Sequence, residues 1–546
     1  MTTKVIKDLF ERGKYQEVLD QLVKLETQKN GTSLTRNEQI EHTIFHSFAL
    51  QALGQFEQGL QVATTTRKKI QKTKNTQLLL ALLSAEIRAL LELEKMDDVY
   101  TLITEGDALL KKLPVINQES GSFWIYLFKL TKAISFLDKD KPDLALDHLR
   151  QALAGFEKFG TPNYIAETIY SFGRFYYQKT KDNMALEYYQ RAFTLYERLD
   201  HKLGMGSVSI GIGHIYLHKG EYDAMLEHYQ RSLTYAEESG NPIKIAWALG
   251  CVGWTYFLRW KLDTALEYYQ RALALAETTS SKKLIASIEL SKGIIYHMKG
   301  ELNNSLNCLQ RSLTLHEARE DDIQTALVLH YLIRLMLDRK ELLQAKSYLD
   351  QFQKINARTP SKHIELRCRL AEALILKQSP RMVNKAQAQT TLKQIVTEET
   401  FKWRWDDAMF GLFHLCELLV FEAKATGELE VWEELKTFIE QFYIQAQHKK
   451  KLMFIGEVLV LKAKIAMIEG ELHQALAFLD QAKTVATEND IILLKDKVEA
   501  EEQRLEADLD KWNELIRNNA SLQDRFRQAQ MEEYLKKAQH LITHLT

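Results

Sequence analysis

The sequence predicts an all-α solenoid of stacked antiparallel helical hairpins, and three observations carry that reading. The octapeptide ALEYYQRA occurs at Ala185–Ala192 and again at Ala265–Ala272. Weaker copies, MLEHYQRS at Met225–Ser232 and SLNCLQRS at Ser305–Ser312, stand in the same 40-residue step. A glycine recurs in that step at Gly173, Gly213, Gly253 and Gly293. Only six prolines occur in 546 residues, so helix can run through almost the whole chain.

Each unit opens on a helix A, justified by the glycine and what surrounds it. Seven residues before the glycine the residue is small: Ala166, Gly206, Ala246 and Ala286. Three after it comes a tyrosine: Tyr176, Tyr216, Tyr256 and Tyr296. Small residues let a second helix approach closely, and the tyrosine fills the same face one turn along. Helix B follows, with Ala185, Met225, Ala265 and Ser305 at +12 and Tyr189, Tyr229, Tyr269 and Leu309 at +16. Ala192, Ser232, Ala272 and Ser312 close the ladder at +19. ALEYYQRA is therefore helix B of a repeated hairpin. No such hairpin buries its apolar face alone, so stacking supplies the core.

Punctuation agrees with this frame. KGEY at Lys219–Tyr222, KGEL at Lys299–Leu302 and EGEL at Glu469–Leu472 put glycine in the tight turn between A and B. GTPNYIA at Gly160–Ala166 and GNPIKIA at Gly240–Ala246 place glycine after one helix and proline in the first turn of the next.

Bulk properties narrow the class. Charged residues make up 27% and apolar ones 45%, as in a folded soluble chain, and 546 residues exceed what one globular core normally holds. The net charge of −1 offers no global attraction to nucleic acid or an anionic membrane. Cys251, Cys308, Cys368 and Cys416 are spaced by 57, 60 and 48 residues, which reads as buried reduced thiols rather than a disulfide or zinc framework. The most apolar stretch, Leu452–Ile468, is broken by Glu457, Lys462 and Lys464, so no membrane span is expected. The charged N-terminus MTTKVIKDLFERGKY lacks the apolar centre of a signal peptide, and the cytoplasm is the expected location.

The ladder Ala166–Gly173–Tyr176–Ala185–Tyr189–Ala192 and its copies resemble the tetratricopeptide repeat (TPR). The 40-residue period is similar to the variant in kinesin light chains, G-protein-regulator scaffolds and the MalT-like region of bacterial and archaeal regulators. The resemblance implies a right-handed superhelix. It is specific from about residue 120 to 320 and weaker through Ala133/Ala145/Ala152 and Ala345/Phe352, with an outlying copy at Ala475–Leu479–Ala482. Divergent copies start from Gly13–Leu25 and Gly54–Ala63, giving roughly ten to twelve hairpins. The expected organisation is divergent hairpins over 1–118, a core array over 119–358, divergent hairpins over 359–489, and closing helices over 490–546.

That closing segment reads as one long helix over Asp490–Asn518, striped by Leu494, Val498, Leu505, Leu509, Trp512 and Ile516. A second helix starts at a capping box, Ser521–Asp524, and carries Leu522, Phe526, Leu535, Ala538, Leu541 and Leu545. A polar cap is what a solenoid end requires; a dimerising coiled coil is the rival reading, weakened by Glu501 and Glu502 in the stripe.

Catalytic and metal signatures are missing from the sequence: there is no Gly-rich phosphate loop, no HExxH and no GxSxG. His540 and His544 are spaced to share a metal but have no third ligand, so no cofactor and no enzymatic activity are expected. The basic runs Arg67–Lys74 and His448–Lys451 suit helix C-termini, and no nucleic-acid partner is expected.

One side of helix A is left over, at −6, −3, +1 and +4 from the repeat glycine. In TPR proteins this side usually lines the concave groove that holds a partner. Here it reads Glu167, Tyr170, Arg174, Tyr177; Ser207, Ile210, His214, Leu217; Trp247, Gly250, Trp254, Phe257; Ser287, Leu290, Ile294, His297; and Leu327, His330, Arg334, Leu337. Solvated faces seldom carry aromatics this dense. Trp247, Trp254 and Phe257 are the candidate anchors, with Tyr170 and Tyr177 beside them, and Arg174, His214, His297, His330 and Arg334 the candidate polar rim. The alternative is that the superhelix buries this face against itself or its terminal helices. The asparagines that kinesin-light-chain-like repeats place beside the repeat glycine are missing, as is a carboxylate clamp, so an apolar helix or hydrophobic strip is the expected ligand. The expected role is a protein-interaction scaffold, monomeric, with a protein or peptide partner; a MalT-like ligand- or peptide-sensing module acting through a second protein is the other reading.

Overall fold

The computed structural model describes residues 2–27, 34–71, 75–93, 95–113, 122–138, 141–279, 281–397, 405–448, 451–489 and 491–542. Among these, every regular element is an α-helix. The helices pair as antiparallel hairpins in sequence order, as the 40-residue period requires.

The chain divides into two units. The first, Met1–Thr255 with Gln270–Ser281, holds the hairpins Thr2–Glu11/Tyr15–Thr27, Arg36–Ala52/Phe56–Ile70, Thr76–Glu92/Met96–Lys111, Phe123–Asp138/Pro142–Phe159, Pro162–Gln178/Asp182–Arg198 and Lys202–Lys219/Tyr222–Ser239. The helices Pro242–Leu258 and Leu262–Thr278 follow. The second, Tyr256–Tyr269 with Lys282–Thr546, holds Lys282–Met298/Leu302–Glu317, Asp322–Asp338/Leu342–Arg358, Lys362–Lys377/Met382–Thr397, Trp405–Thr426/Leu429–His448 and Leu452–Glu469/Leu472–Glu488. Four shorter helices complete it: Ile492–Ala507, Leu509–Arg517, Leu522–Ala529 and Met531–Ile542.

Packing inside a hairpin follows the ladder. An added Cβ on Gly173 would lie 2.4 Å from the Tyr189 ring, and one on Gly213 2.3 Å from the Tyr229 ring. Helix B therefore presses its tyrosine flat against bare helix A backbone, a contact only glycine permits. The small residues at +12 and +19 are fully buried beside it at Ala185, Ala192, Ala265 and Ala272.

The turns obey the period more strictly than the sequence does. Gly220, Gly300 and Gly470 close helix A with φ of 71°, 74° and 90°. Gly220 N–H donates to Leu217 O at 3.0 Å and Glu221 N–H to Tyr216 O at 2.9 Å, the paired bonds of a Schellman close. Thr180, Trp260 and Lys340 stand at the same step with φ of 54°, 60° and 62°. The return turns behave alike at Gly160, Asp200, Gly240 and Glu320. Left-handed backbone thus recurs at these reversals, and packing imposes it on residues that sterically disfavour it, whereas the later turn after Leu342–Arg358 has Thr359 at φ −121°.

The end of the chain departs from expectation. Instead of one helix over Asp490–Asn518, the stripe breaks at Asp508 (φ −101°, ψ 9°). The break turns Trp512 into the apolar core of the second unit and lets the Asp508 carboxylate accept from Gln528 at 3.0 Å. The Ser521 cap forms as predicted, its hydroxyl accepting from Asp524 N–H at 3.2 Å. The helix after it then stops at Gln530 (φ 48°) and restarts at Met531. Asp490, His544 and Leu545 lie outside the described residues, as do the side chains of Leu522, Ala538, His540 and Leu541. No helix among the described residues is long and apolar enough to cross a membrane.

Candidate functional site on the inner face of helix A

In the first unit, the helices Pro162–Gln178 and Lys202–Lys219 and the part of Pro242–Leu258 up to Thr255 expose the leftover side of helix A. Burial alternates along each because the +0 glycine and −7 small residue pack inward, turning −6, −3, +1 and +4 the other way. Tyr170, Arg174, Tyr177, His214 and Trp254 are all partly open, and Trp247 is 38% exposed. A Cβ built on Gly250, midway between the two tryptophans, meets nothing within 4 Å. Phe257, three residues past Trp254 on the same helix, is half-buried and belongs to the second unit.

The polar groups around these aromatics are held in place. Tyr170 leans on Tyr189 with centroids 5.6 Å apart. Tyr177 stacks on His218 at 4.7 Å and 12°, and His218 Nδ1 lies 3.2 Å from an Asp182 carboxylate oxygen. Burial, helped by the Asp182 charge, pushes the Tyr177 phenol up to about 12. His214 sits edge-on to Tyr229 at 5.7 Å, and burial pushes its pKa down to about 4, so it is neutral at physiological pH. Arg174 is paired with Asp138 and Glu167 with Arg88, whose guanidinium donates to the carboxylate at 2.7 and 3.2 Å. Fixed side chains of this kind lose little entropy when a ligand docks.

At the same positions in the second unit half of the side chains are closed off, while Ser287, Ile294, Leu327 and Leu337 stay partly open. Leu290 and His297 are buried, and His297 Nε2 lies 2.7 Å from an Asp338 carboxylate oxygen. His330 and Arg334, expected on the rim, are 1% and 3% exposed. The Arg334 guanidinium lies 3.8 Å above the Phe410 ring, 5.2 Å from Tyr331, and bonds His330 at 3.3 Å. Burial lowers the Arg334 pKa to about 10 and holds His330 well below its ordinary value, with Arg334 adding repulsion. The cause is Phe410, on the Trp405–Thr426 helix, which caps the cation. Of the ten candidate residues, Tyr170, Arg174, Tyr177, His214, Trp254 and Phe257 are partly exposed and Trp247 is exposed, whereas His297, His330 and Arg334 lie in the interior.

Contacts that sequence reasoning missed brace this open face. The turn of the first hairpin reaches the start of the Lys202–Lys219 helix: the Tyr15 hydroxyl and His201 Nε2 are 2.9 Å apart, and Gly13 abuts the His201 ring. His201 Nδ1 in turn accepts from Gly204 N–H at 2.9 Å as that helix's N-cap. Glu11 accepts from Asn163 N–H at 3.2 Å, and Asn241 donates to Ala52 O. These partners are 152 to 189 residues apart, and no local pattern announces them. The His218–Asp182 contact was legible in principle, since it joins neighbouring hairpins across 36 residues, the separation that recurs in Arg174–Asp138 and Lys299–Asp263.

Reactive chemistry is poorly served here. All four cysteines are buried. Burial lifts the Cys251 and Cys308 thiols to about 12 and Cys368 to about 11, so thiolate is scarce. Among the described residues no group of three or more His, Cys, Asp or Glu side chains could hold a metal ion.

No curated protein matches the chain. Solved structures similar to it include a Rap protein complexed with Competence and Sporulation Factor, at 16% identity over 73% of this chain and 99% of that one, with a TM-score of 0.45. The apo quorum sensor NprR from B. thuringiensis is similar at 14% identity over 65% and 97%, with a TM-score of 0.47. The apo form of RapI is similar at 14% identity over 68% and 98%, with a TM-score of 0.48. A family model described as the MalT-like TPR region matches residues 173–454, just over half of the chain and most of the periodic array. The repeat ladder, the hairpin geometry and this match agree, and the chain belongs to the family of MalT-like TPR regions.

Proposed function

We propose that the inner face formed by the Pro162–Gln178 and Lys202–Lys219 helices and by Trp247–Trp254 binds a segment of a partner protein, so that the chain acts as an interaction scaffold without chemistry of its own. One observation carries the reading: Trp247 and Trp254 flank the open space over Gly250 on a face whose other groups are already fixed. A large aromatic left partly in water beside open space is the usual form of a binding anchor. The closed state of His330 and Arg334 shows the contrast, since there the protein's own Phe410 fills the equivalent space.

Affinity capture tests this, comparing the wild-type chain with Trp247→Ala and Trp254→Ala. Truncating a central aromatic anchor costs about 2 kcal/mol or more, roughly 30-fold in affinity. A captured protein should therefore be lost from both variants while circular dichroism stays unchanged, and Arg174→Ala should matter far less. A double alanine variant that retains every wild-type partner rules the reading out. If the occupant is instead a small molecule or short peptide that the chain senses on behalf of a second protein, native mass spectrometry will show it bound to the wild type and not to Trp254→Ala.

A further inference from the structure

Counting back twelve residues from Ala475 places the repeat position at Ala463, so Glu457 and Lys464 occupy the −6 and +1 positions of the Leu452–Glu469 helix. These are the positions that carry Glu167 and Arg174, and Trp247 and Trp254, on the open face. Here they already hold a ligand, and it is part of the same chain. The Tyr534 hydroxyl donates to the Glu457 carboxylate at 2.8 Å, and Lys464 donates to Ala529 O at 3.0 Å and to Glu501 at 2.7 Å. Lys497 bonds Glu457 at 2.6 Å and lies 4.5 Å from the Tyr534 ring centroid. One repeat earlier, Lys424 reaches Glu532 at 2.8 Å.

The covered face has the composition of a binding surface rather than of a core. Glu457 is 0% and Lys464 1% exposed, whereas the sides of these hairpins that pack on each other are apolar. Burying charges in a permanent core costs several kcal/mol per ion before pairing repays it, and apolar residues do that job as well or better. The covering helix Met531–Ile542 is 12 residues long and is joined to the preceding helix through Gln530 alone, in left-handed backbone. It presents Met531, Tyr534 and Leu535 to the face, at the spacing of an amphipathic helix lying in a groove.

We infer that the inner face of the Trp405–Thr426 and Leu452–Glu469 helices is a second, helix-binding surface, held closed in cis by Met531–Ile542. The partner it fits is an amphipathic α-helix with a tyrosine directly after acidic residues, the chemistry of the Glu532-Glu533-Tyr534-Leu535 segment that now fills it. The tyrosine would meet Glu457 and the first acidic residue Lys424, with apolar residues one turn away replacing Met531 and Leu535.

The probe is a labelled peptide of residues 530–546 added to the full chain. Wild type should bind it weakly or not at all. The full-length variant Tyr534→Ala/Leu535→Asp, whose own helix no longer docks, should bind it at least about tenfold more tightly. A Tyr534→Phe peptide should bind that variant roughly 5- to 10-fold more weakly, the worth of one buried hydrogen bond. Hydrogen exchange on the wild-type chain is the second measurement, and it holds even if the variant misfolds. Met531–Ile542 should exchange about 100-fold or more faster than Leu452–Glu469, as a locally opening element does. A folded variant that ignores the peptide, wild type and variant binding it equally, or equal protection of the two helices each overturns the inference.

Discussion

Two glycines on one helix should respond to alanine with opposite signs. Both Gly206 and Gly213 lie within Lys202–Lys219, and both face the partner helix of their hairpin. A Cβ on Gly206 would sit 3.5 Å from Ser232 O and from Tyr235 Cβ, which is ordinary contact. Gly206→Ala therefore keeps its packing and gains the helix propensity of alanine, about 0.5–1 kcal/mol. A Cβ on Gly213 would sit 2.3 Å from Tyr229 Cε1 and 2.6 Å from Cδ1, and Tyr229 is fully buried. The ring has to retreat by roughly 1 Å to reach normal contact, and forced repacking of that size costs about 1–3 kcal/mol, more than the propensity gain. Nature's own relief is at Gly293, where Leu309 replaces the tyrosine and the nearest atoms stand 2.8 Å away. Tyr229→Leu should therefore blunt the Gly213→Ala penalty, giving a coupling of about 1 kcal/mol in a double-mutant cycle. Urea unfolding followed by hydrogen exchange over Lys202–Lys219 and Tyr222–Ser239 reads all five chains. Damage should centre on this hairpin and its neighbours, because coupling in a solenoid is nearest-neighbour. Equal effects of Gly206→Ala and Gly213→Ala, or strict additivity with Tyr229→Leu, would refute the close-approach reasoning.

Acid should loosen the contact between the first hairpin and the start of the Lys202–Lys219 helix. Burial holds the His201 pKa at about 4 against an ordinary 6.5, so the unfolded chain takes up the proton first as pH falls. The stability it contributes, up to ~3 kcal/mol, is complete above pH 6.5 and is lost as pH drops toward 4. Protection of the Tyr15–Thr27 amides, taken relative to their intrinsic exchange rates at each pH, should fall between pH 7 and 5 in wild type and much less in His201→Asn, which keeps an N-cap but does not titrate; identical pH profiles would count against it. Lys340→Gly should stabilise by a few tenths to about 1 kcal/mol, since φ of 62° costs a lysine more than the added chain entropy costs a glycine. A lowered urea midpoint would show that Lys340 is not strained. Arg88→Ala should leave Glu167 half-buried without its partner and cost about 1–3 kcal/mol, read as faster exchange in Pro162–Gln178; unchanged exchange would mean the pair is solvated.

Much of the fold was legible because it is one short-range rule repeated. A small residue, a glycine and a tyrosine on helix A, answered by a small–large–small ladder on helix B, define a hairpin whose partners lie 12 to 26 residues apart, as in Ser305 Oγ with Gly293 O and Ser312 Oγ with Ala286 O. The sequence alone determined the all-α class, the hairpin register, the glycine turns, the Ser521 cap and the side of helix A that the repeat ladder does not use for hairpin packing. It also named the tryptophans that stand open on that side. Tertiary structure decided which stretch of that side stays open. Trp254 and Arg334 hold the same +1 position, yet one is partly open and the other lies in the interior, because Phe410 and its helix arrive later in the chain to cover Arg334. The breaks at Asp508 and Gln530 escaped notice for a related reason: an amphipathic stripe records which residues are apolar, not the direction from which the core approaches them. Residues such as Tyr15 and His201 meet across 186 positions, and a pairing at that distance leaves no periodic trace, because it depends on the rotation accumulated over every hairpin between them.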